Sequence, residues 1–245
     1  MKQKVRHAAR SVALSLLGTV AAPPKGSFLR ALYFHEVGPQ RAGSFAAILE
    51  RLMREGEFVD TETCLAMLTG LRPVKGRYFH LSFDDGHRTL IEHAAPVLKR
   101  LGIPAVFFVC TSWVGAKPDV LSWGDLRELQ SQGFEVGSHT RSHANLAEVP
   151  RLGRLKEEVA GSKQDIEQRL GTACKYIAWP YGRKRDINKA STQAIVQAGY
   201  QACFGAFRGS IYAGQTNAFQ IPRHHLEADW PWKHIRYFAH GHGEK

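Results

Sequence analysis

The chain has 245 residues, of which 44% are hydrophobic and 22% charged, and its 33 Lys and Arg against 22 Asp and Glu give a formal net charge of +11. This length suits one large α/β domain, and the apolar fraction is too high for a disordered chain. No apolar run approaches the roughly 18 residues that a membrane-spanning helix needs. The four cysteines form no Cys-x-x-Cys pair, which argues against a disulfide framework and favours a reducing compartment.

The basic charge is unevenly distributed along the chain. Residues 1–41 and 151–207 carry the excess, whereas residues 42–150 are slightly acidic. Such a balance brings nucleic acid to mind, but no helix-turn-helix, zinc-finger or RNA-binding strand motif accompanies it. We therefore expect no nucleic-acid partner. The excess is better explained by attraction to an anionic membrane surface or an acidic glycan, or as a solvated basic face.

Residues 1–26 are predicted to form a basic, partly apolar N-terminal helix ahead of a domain that covers residues 27–245. Four cations precede an uncharged stretch at residues 11–22, a layout typical of a signal peptide. Three of the cations repeat every four residues, which also fits a retained helix that touches a membrane peripherally. We expect either a cytoplasmic protein at the inner face of the membrane or an exported one in the periplasm or cell envelope. The four cations are Lys2, Lys4, Arg6 and Arg10.

After two prolines the sequence alternates between apolar strand patterns and amphipathic helix patterns. Repeated βα units of this size predict a parallel sheet, either closed as a barrel or open and doubly wound. The predicted strands cover residues 29–34, 78–83, 104–110, 134–137, 176–179 and 200–204. The predicted helices cover residues 44–56, 92–101, 122–132, 152–170 and 188–198.

Two adjacent carboxylates, Asp84 and Asp85, follow the predicted strand at residues 78–83, and Gly86 can turn the chain sharply after them. Functional side chains in parallel α/β folds emerge where strands finish. Neighbouring residues on extended backbone point in different directions, so one carboxylate can hold a metal while the other takes a proton. Alone, the tripeptide is equally typical of a solvated turn.

Two histidines, His139 and His143, follow the strand at residues 134–137. Imidazoles four residues apart converge on one metal if the chain between them forms a turn, and Asp85 would complete three ligands. Three protein ligands with a fourth position left for water are typical of a catalytic site.

A third strand end reads Trp179-Pro180-Tyr181-Gly182. We predict that this turn points the Tyr181 N–H into the site as an oxyanion donor. The Tyr181 ring would form a wall for a sugar, with Trp179 and Pro180 as further substrate-binding residues. An ordinary loop after a strand is the alternative.

Together these segments resemble the polysaccharide deacetylases, the NodB-homology domain of carbohydrate esterase family 4. The family's Thr/Ser-Phe-Asp-Asp-Gly motif is matched at residues 82–86 and its His-Ser/Thr-x-x-His motif at residues 139–143, while the Trp-Pro-Tyr-Gly segment is similar to its third motif. The resemblance covers about residues 29–205. It implies a distorted (β/α) barrel of parallel strands with outer helices.

The resemblance also implies a divalent metal, Zn²⁺ with Co²⁺, Ni²⁺ or Mn²⁺ as alternatives, held by Asp85, His139 and His143. Asp84 would be the general base that activates water. The implied reaction removes N-acetyl groups from N-acetylhexosamine residues of a bacterial exopolysaccharide or cell-envelope glycan. One alternative is a deacylase of a lipid-linked or small amino sugar. Another is a non-catalytic glycan-binding domain, against which the intact motifs argue.

Two departures from the family pattern affect the remaining catalytic residues. Many members carry an arginine where this chain has Ala178, so Arg223 becomes the candidate to orient the base. The late histidine that protonates the leaving amine has no clean match, which leaves His224 or His225 as the candidate. His35 ends the first strand and is a candidate substrate-binding residue at the barrel mouth.

Overall fold

The structure is a computed structural model that describes residues 26–149 and 151–242. The predicted N-terminal helix therefore lies almost wholly outside the described residues. The strands are β1 (Phe28–Phe34), β2 (Glu57–Val59), β3 (Arg77–Phe83), β4 (Val106–Val109), β5 (Glu135–Ser138), β6 (Tyr176–Ala178), β7 (Ala202–Phe204) and β8 (His224–His225). The α-helices are α1 (Ala42–Met53), α2 (Thr61–Thr69), α3 (Ala95–Leu101), α4 (Trp123–Ser131), α5 (Leu152–Lys156), α6 (Ser162–Leu170), α7 (Lys189–Gln197) and α8 (Trp232–Ala239).

The strands form one parallel sheet in the order β7-β6-β5-β4-β3-β1-β8. Strand β2 pairs with the N-terminal part of β3, and β4 pairs with the C-terminal part of the same edge of β3. A parallel bridge from Phe204 to Ile221 links β7 to the segment that leads into β8. Since β8 pairs with β1, this segment brings the two edges of the sheet together. The prediction of a (β/α) barrel with parallel strands is confirmed.

The alternation of side chains along each strand separates two apolar layers. On β1, Leu32 and Phe34 pack outward in the layer that holds helix residues such as Phe45. Leu29 and Ala31 point to the other face and join the barrel interior. All seven β1 side chains are buried, as expected for a strand covered on both faces.

The helix ends carry the signals that the sequence predicts. Ser122 caps α4 through the Asp125 N–H, and the Asp125 carboxylate accepts from the Ser122 N–H in return. A π-helical turn at Glu157–Gly161 joins α5 to α6, so helical structure runs unbroken from residue 152 to residue 170 as predicted. None of the described helices combines the length and apolar character needed to cross a membrane.

Two βα units escape sequence prediction, β2 with α2 and β8 with α8. β2 has three residues and β8 has two, too few for a periodic pattern to register. The second omission matters for the site, because β8 brings Arg223, His224 and His225 beside β1.

Candidate active site

The candidate site lies where parallel strands finish, at one end of the barrel. The backbone N–H of Asp84 donates to the Phe34 carbonyl at 3.0 Å, which ties the end of β3 to the end of β1. The His139 N–H donates in the same way to Val109 at the end of β4, at 2.8 Å. The barrel thereby gathers residues that are far apart in sequence.

Asp84 and Arg223 form a buried, two-pronged ion pair. The two terminal nitrogens of Arg223 donate to the two Asp84 oxygens at 2.7 Å each, and the side chains are 0% and 3% exposed. Burial alone would raise the pKa of Asp84, but the Arg223 charge and hydrogen bonds outweigh it and lower that pKa to about 2. Arg223 is itself fixed by the Gly205 carbonyl, the Ser82 hydroxyl and the face of Tyr33. Asp84 is therefore an ionised carboxylate in a fixed orientation.

Asp85, His139 and His143 converge, and they are the one group of three or more His, Cys, Asp or Glu ligands that meet within metal-binding distance in the described part of the chain. Asp85 Oδ1 lies 3.5 Å from His139 Nε2 and 3.4 Å from His143 Nε2. Ligands about 2.0–2.1 Å from a tetrahedral ion lie about 3.4 Å apart, so this spacing fits such an ion. Asp85 Oδ1 is buried and accepts no hydrogen bond from any described residue, as expected for an oxygen that ligates a metal. The donor set fits zinc or a similar divalent ion.

Neighbouring groups orient the two imidazoles. His139 Nδ1 donates to the Ala178 carbonyl at 2.9 Å, which leaves the Nε2 lone pair directed at Asp85. The turn between the histidines is held by Glu158, whose carboxylate accepts from both the N–H and the hydroxyl of Ser142. Glu158 lies in the π-helical turn, a distortion frequent at functional sites. Burial, followed by the charge of His139, lowers the pKa of His143 to about 4, so its imidazole is neutral and competent as a ligand at neutral pH.

Two aromatic rings flank His143. The Trp113 ring stacks on it with centroids 5.4 Å apart, and the Tyr181 ring meets it edge to face at 4.9 Å. Tyr181 is 51% exposed, so one side of its ring is open to a ligand. The Lys117 ammonium lies 3.3 Å from the centroid of the Trp113 ring. Trp113 and Glu158 are site residues that the motifs did not identify, because no spacing rule connects them to the ligands.

Backbone strain is concentrated at this end of the barrel. Among the described non-glycine residues, positive φ occurs at four positions only, and all four belong to the site loops. They are Asp85 (φ 69°), Thr140 (φ 66°), His143 (φ 62°) and Tyr181 (φ 60°).

Two residues assigned to the site from sequence are not brought to it. Trp179 is 1% exposed and its indole N–H donates to the Phe219 carbonyl at 3.0 Å, so it packs in the core. His224 is 0% exposed and is in register with Leu32, whose side chain faces the outer helices. The reason is strand alternation, which turns adjacent residues to opposite faces of the sheet.

His225, the next residue, is in register with Tyr33 and faces the barrel mouth. Its Nε2 lies 3.2 Å from His35 Nδ1 and 3.1 Å from a Glu227 carboxylate oxygen. His35 is half-buried, and burial lowers its pKa while the charge of Asp84 raises it. The structure therefore places His35 beside the carboxylates and His225 behind it.

This architecture defines an α/β barrel with a buried, ionised carboxylate and a candidate metal centre at its mouth. The chain belongs to the polysaccharide deacetylase family, whose sequence model matches residues 72–203. The resemblance that the motifs indicate is thus confirmed.

Named relatives agree with this assignment. The chain is 28% identical over 155 residues to the poly-β-1,6-N-acetyl-D-glucosamine N-deacetylase of Staphylococcus aureus (strain MRSA252), an alignment that covers 58% of this chain and 52% of the relative. The chain thus spans about half the length of the curated relatives it matches. IcaB from Ammonifex degensii superposes with a TM-score of 0.77 at 26% identity, covering 88% of this chain and 98% of that one. The Streptococcus pyogenes deacetylase PplD, at 18% identity and a TM-score of 0.75 over 89% and 99% of the two chains, shares the fold.

Proposed function

We propose that this protein is a metal-dependent N-deacetylase that removes acetyl groups from N-acetylhexosamine residues of a bacterial exopolysaccharide or cell-envelope glycan. The observation that carries the proposal is the buried Asp84–Arg223 pair beside the cluster of Asp85, His139 and His143, in a member of the polysaccharide deacetylase family. A non-catalytic glycan-binding module would not need an oriented base next to a group of metal ligands.

Asp84 acts as the general base. Arg223 occupies both of its oxygens on one side and keeps the carboxylate ionised, so a lone pair stays available to accept the proton of an attacking water. Asp85, His139 and His143 would hold a divalent ion, which would supply the Lewis acidity that acidifies water and polarises an amide carbonyl. The Tyr181 N–H is proposed to donate to the developing oxyanion.

His35 is the proton donor to the leaving amine in this proposal. It directly follows β1, next to Asp84, whereas the His224 side chain faces the outer helices and the His225 ring lies behind that of His35. The leaving amine needs a proton donor within hydrogen-bond reach of its nitrogen. His35 is the histidine at the mouth, apart from the two ligands, that meets this requirement most directly.

The substrate proposal follows the Staphylococcus aureus relative, whose name specifies poly-β-1,6-N-acetyl-D-glucosamine. The exposed Tyr181 ring would pack against the apolar face of a sugar next to the reacting acetamide. We also propose that the protein works at the inner face of the membrane, supported by the basic residues of its first 26 positions.

The test is acetate release by the full chain from four glycans: poly-β-1,6-N-acetylglucosamine, chitooligosaccharides, peptidoglycan and a lipid-linked amino sugar. Activity should appear on an N-acetylhexosamine polymer, disappear with a chelator and return with Zn²⁺ or Co²⁺. Absence of release from all four glycans by metal-loaded protein would refute the proposal.

A further inference from the structure

A second imidazole and a carboxylate stand behind His35, outside the residues that the family motifs specify. His225 Nε2 lies between His35 Nδ1, 3.2 Å away, and Glu227 Oε1, 3.1 Å away. The ring of His225 is enclosed by Tyr33, His35 and Trp230, with centroids 5.1, 4.9 and 5.7 Å away. Its side chain keeps 25% exposure, so solvent protons can reach it.

One nitrogen between two partners restricts where the protons lie. The hydrogen bond from His225 is the largest influence on Glu227 and lowers its pKa, so Glu227 is an ionised carboxylate that only accepts. His225 Nε2 must then carry a proton. The same N–H can only donate to His35 Nδ1. His35 Nδ1 therefore carries no proton, and the one ring proton of neutral His35 lies on Nε2.

From this arrangement we infer that His225 and Glu227 are positioning residues that hold His35 as its Nε2–H tautomer and resupply the proton it gives to the leaving amine. The inference rests on the proposed function, because it concerns the donor of that reaction.

The proton transfer balances as follows. The C–N bond of the tetrahedral intermediate breaks, and its electron pair on nitrogen takes the proton from His35 Nε2. When His225 carries a proton on each nitrogen, its Nε2 proton moves to His35 Nδ1, which leaves both imidazoles neutral and Glu227 a carboxylate. Solvent then protonates His35 Nε2, and the Nδ1 proton of His35 returns to His225 Nε2, which restores the Nε2–H form of His35. Over the whole cycle the amine gains one proton and solvent supplies one.

Leaving-group dependence tests the inference. An amine needs protonation to leave, whereas 4-nitrophenolate does not. His225→Gln should therefore lower kcat/KM for acetate release from a β-1,6-linked N-acetylglucosamine oligosaccharide by about 10- to 100-fold, within the range of acid catalysis. It should leave 4-nitrophenyl acetate hydrolysis unchanged. Glu227→Gln, whose amide oxygen still accepts, should show the same pattern with a smaller loss.

A matched control exists in the same chain. His240 and Glu55 form a second His–Glu pair, between the end of α8 and the end of α1. Replacing either by Gln should affect amide and ester hydrolysis equally. Imidazole ¹⁵N NMR supplies a readout without turnover: His35 Nδ1 should be unprotonated in the wild type and should exchange tautomer in His225→Gln.

Equal loss of amide and ester hydrolysis in His225→Gln, or a protonated His35 Nδ1 in the wild type, would overturn the inference while leaving the deacetylase proposal intact. If the wild type hydrolyses the ester but no acetamide, the proposed function fails instead, and the inference fails with it.

Discussion

Replacing Arg223 by methionine removes the only described charge paired with Asp84 while keeping a long apolar stem. Asp84 is 2% exposed, and its pKa of about 2 results from Arg223 overcoming a burial penalty. Without the guanidinium that penalty remains alone, and buried carboxyls can titrate several pH units higher than usual. A rise of at least 2 units corresponds to about 3 kcal/mol in the free energy of ionising Asp84. Leaving one member of a buried pair unpartnered typically costs about 3–5 kcal/mol of stability.

The assay is the pH profile of kcat/KM for acetate release, with thermal unfolding measured on the same samples. In the wild type, Asp84 stays ionised far below neutral pH, so it does not set the acid limb of the profile. In Arg223→Met, burial alone should raise the Asp84 pKa about 4 units above its usual value of about 3.9, so that Asp84 sets the acid limb, with activity at pH 6 reduced about 100-fold and recovered toward pH 9.

Stability should follow the same linkage. The wild-type pair stabilises the fold above the unfolded Asp pKa of about 3.9, and this contribution is lost as pH falls toward about 2. The stability gap between variant and wild type should therefore narrow in acid. Arg100→Met, which removes an exposed pair with Glu50, is the control and should change stability by less than about 1 kcal/mol. Arg223→Lys keeps the positive charge, so its stability and the position of its acid limb should lie between those of the wild type and of Arg223→Met. An unmoved acid limb in a folded Arg223→Met protein would refute the reasoning.

Three further predictions follow from the site and the barrel. Asp84→Asn should abolish acetate release while metal remains bound, and His143→Ala should lose both, as metal analysis of the purified proteins would show; wild-type turnover in Asp84→Asn would remove the base assignment. His80 is fully buried, and burial lowers its pKa to about 3, so its unfolded form gains a proton below about pH 6.5 and stability should fall by about 1.4 kcal/mol per pH unit from there down to about pH 3. Denaturant titrations of His80→Gln should show a pH dependence of the unfolding free energy that is smaller by about 1.4 kcal/mol per pH unit, the contribution of one proton. An unchanged pH dependence would mean that His80 is not the group responsible. Gly182→Ala would put a Cβ 2.6 Å from the Ala206 nitrogen at a φ of 56°, so the melting temperature and kcat should fall with metal content unchanged; a variant with normal turnover would show that this turn tolerates movement.

The sequence predicts those parts of the site whose residues lie close together in one short segment of the chain. Asp84 and Asp85 share a strand end, and His139 and His143 share a turn, so residue type, spacing and position after a strand were sufficient. The barrel was predictable for a related reason, since buried parallel strands and capped helices leave periodic patterns.

The remainder depends on contacts between distant segments. Arg223 lies 139 positions from Asp84 in the chain; its choice as the candidate partner rests on the family pattern and its order in the chain, and their contact depends on the closure of the sheet. The choice among His35, His224 and His225 depended on the register of a two-residue strand, which no periodicity can indicate. Trp179 was assigned to the cleft because its motif neighbours are there, yet strand alternation buries it. Glu158 depends on a π-helical turn, which has no sequence signature of its own.

β8 follows the other seven described strands in the chain, so Arg223 is synthesised after the residues that form the metal-ligand cluster. The three ligands and the groups that orient them, which extend to Ala178, are synthesised before the Arg223 guanidinium that pairs with Asp84. Because domains fold progressively from the N-terminus during synthesis, a nascent or truncated barrel would present the ligands without an oriented base. Incomplete chains would therefore be able to capture a metal ion while remaining unable to hydrolyse glycan.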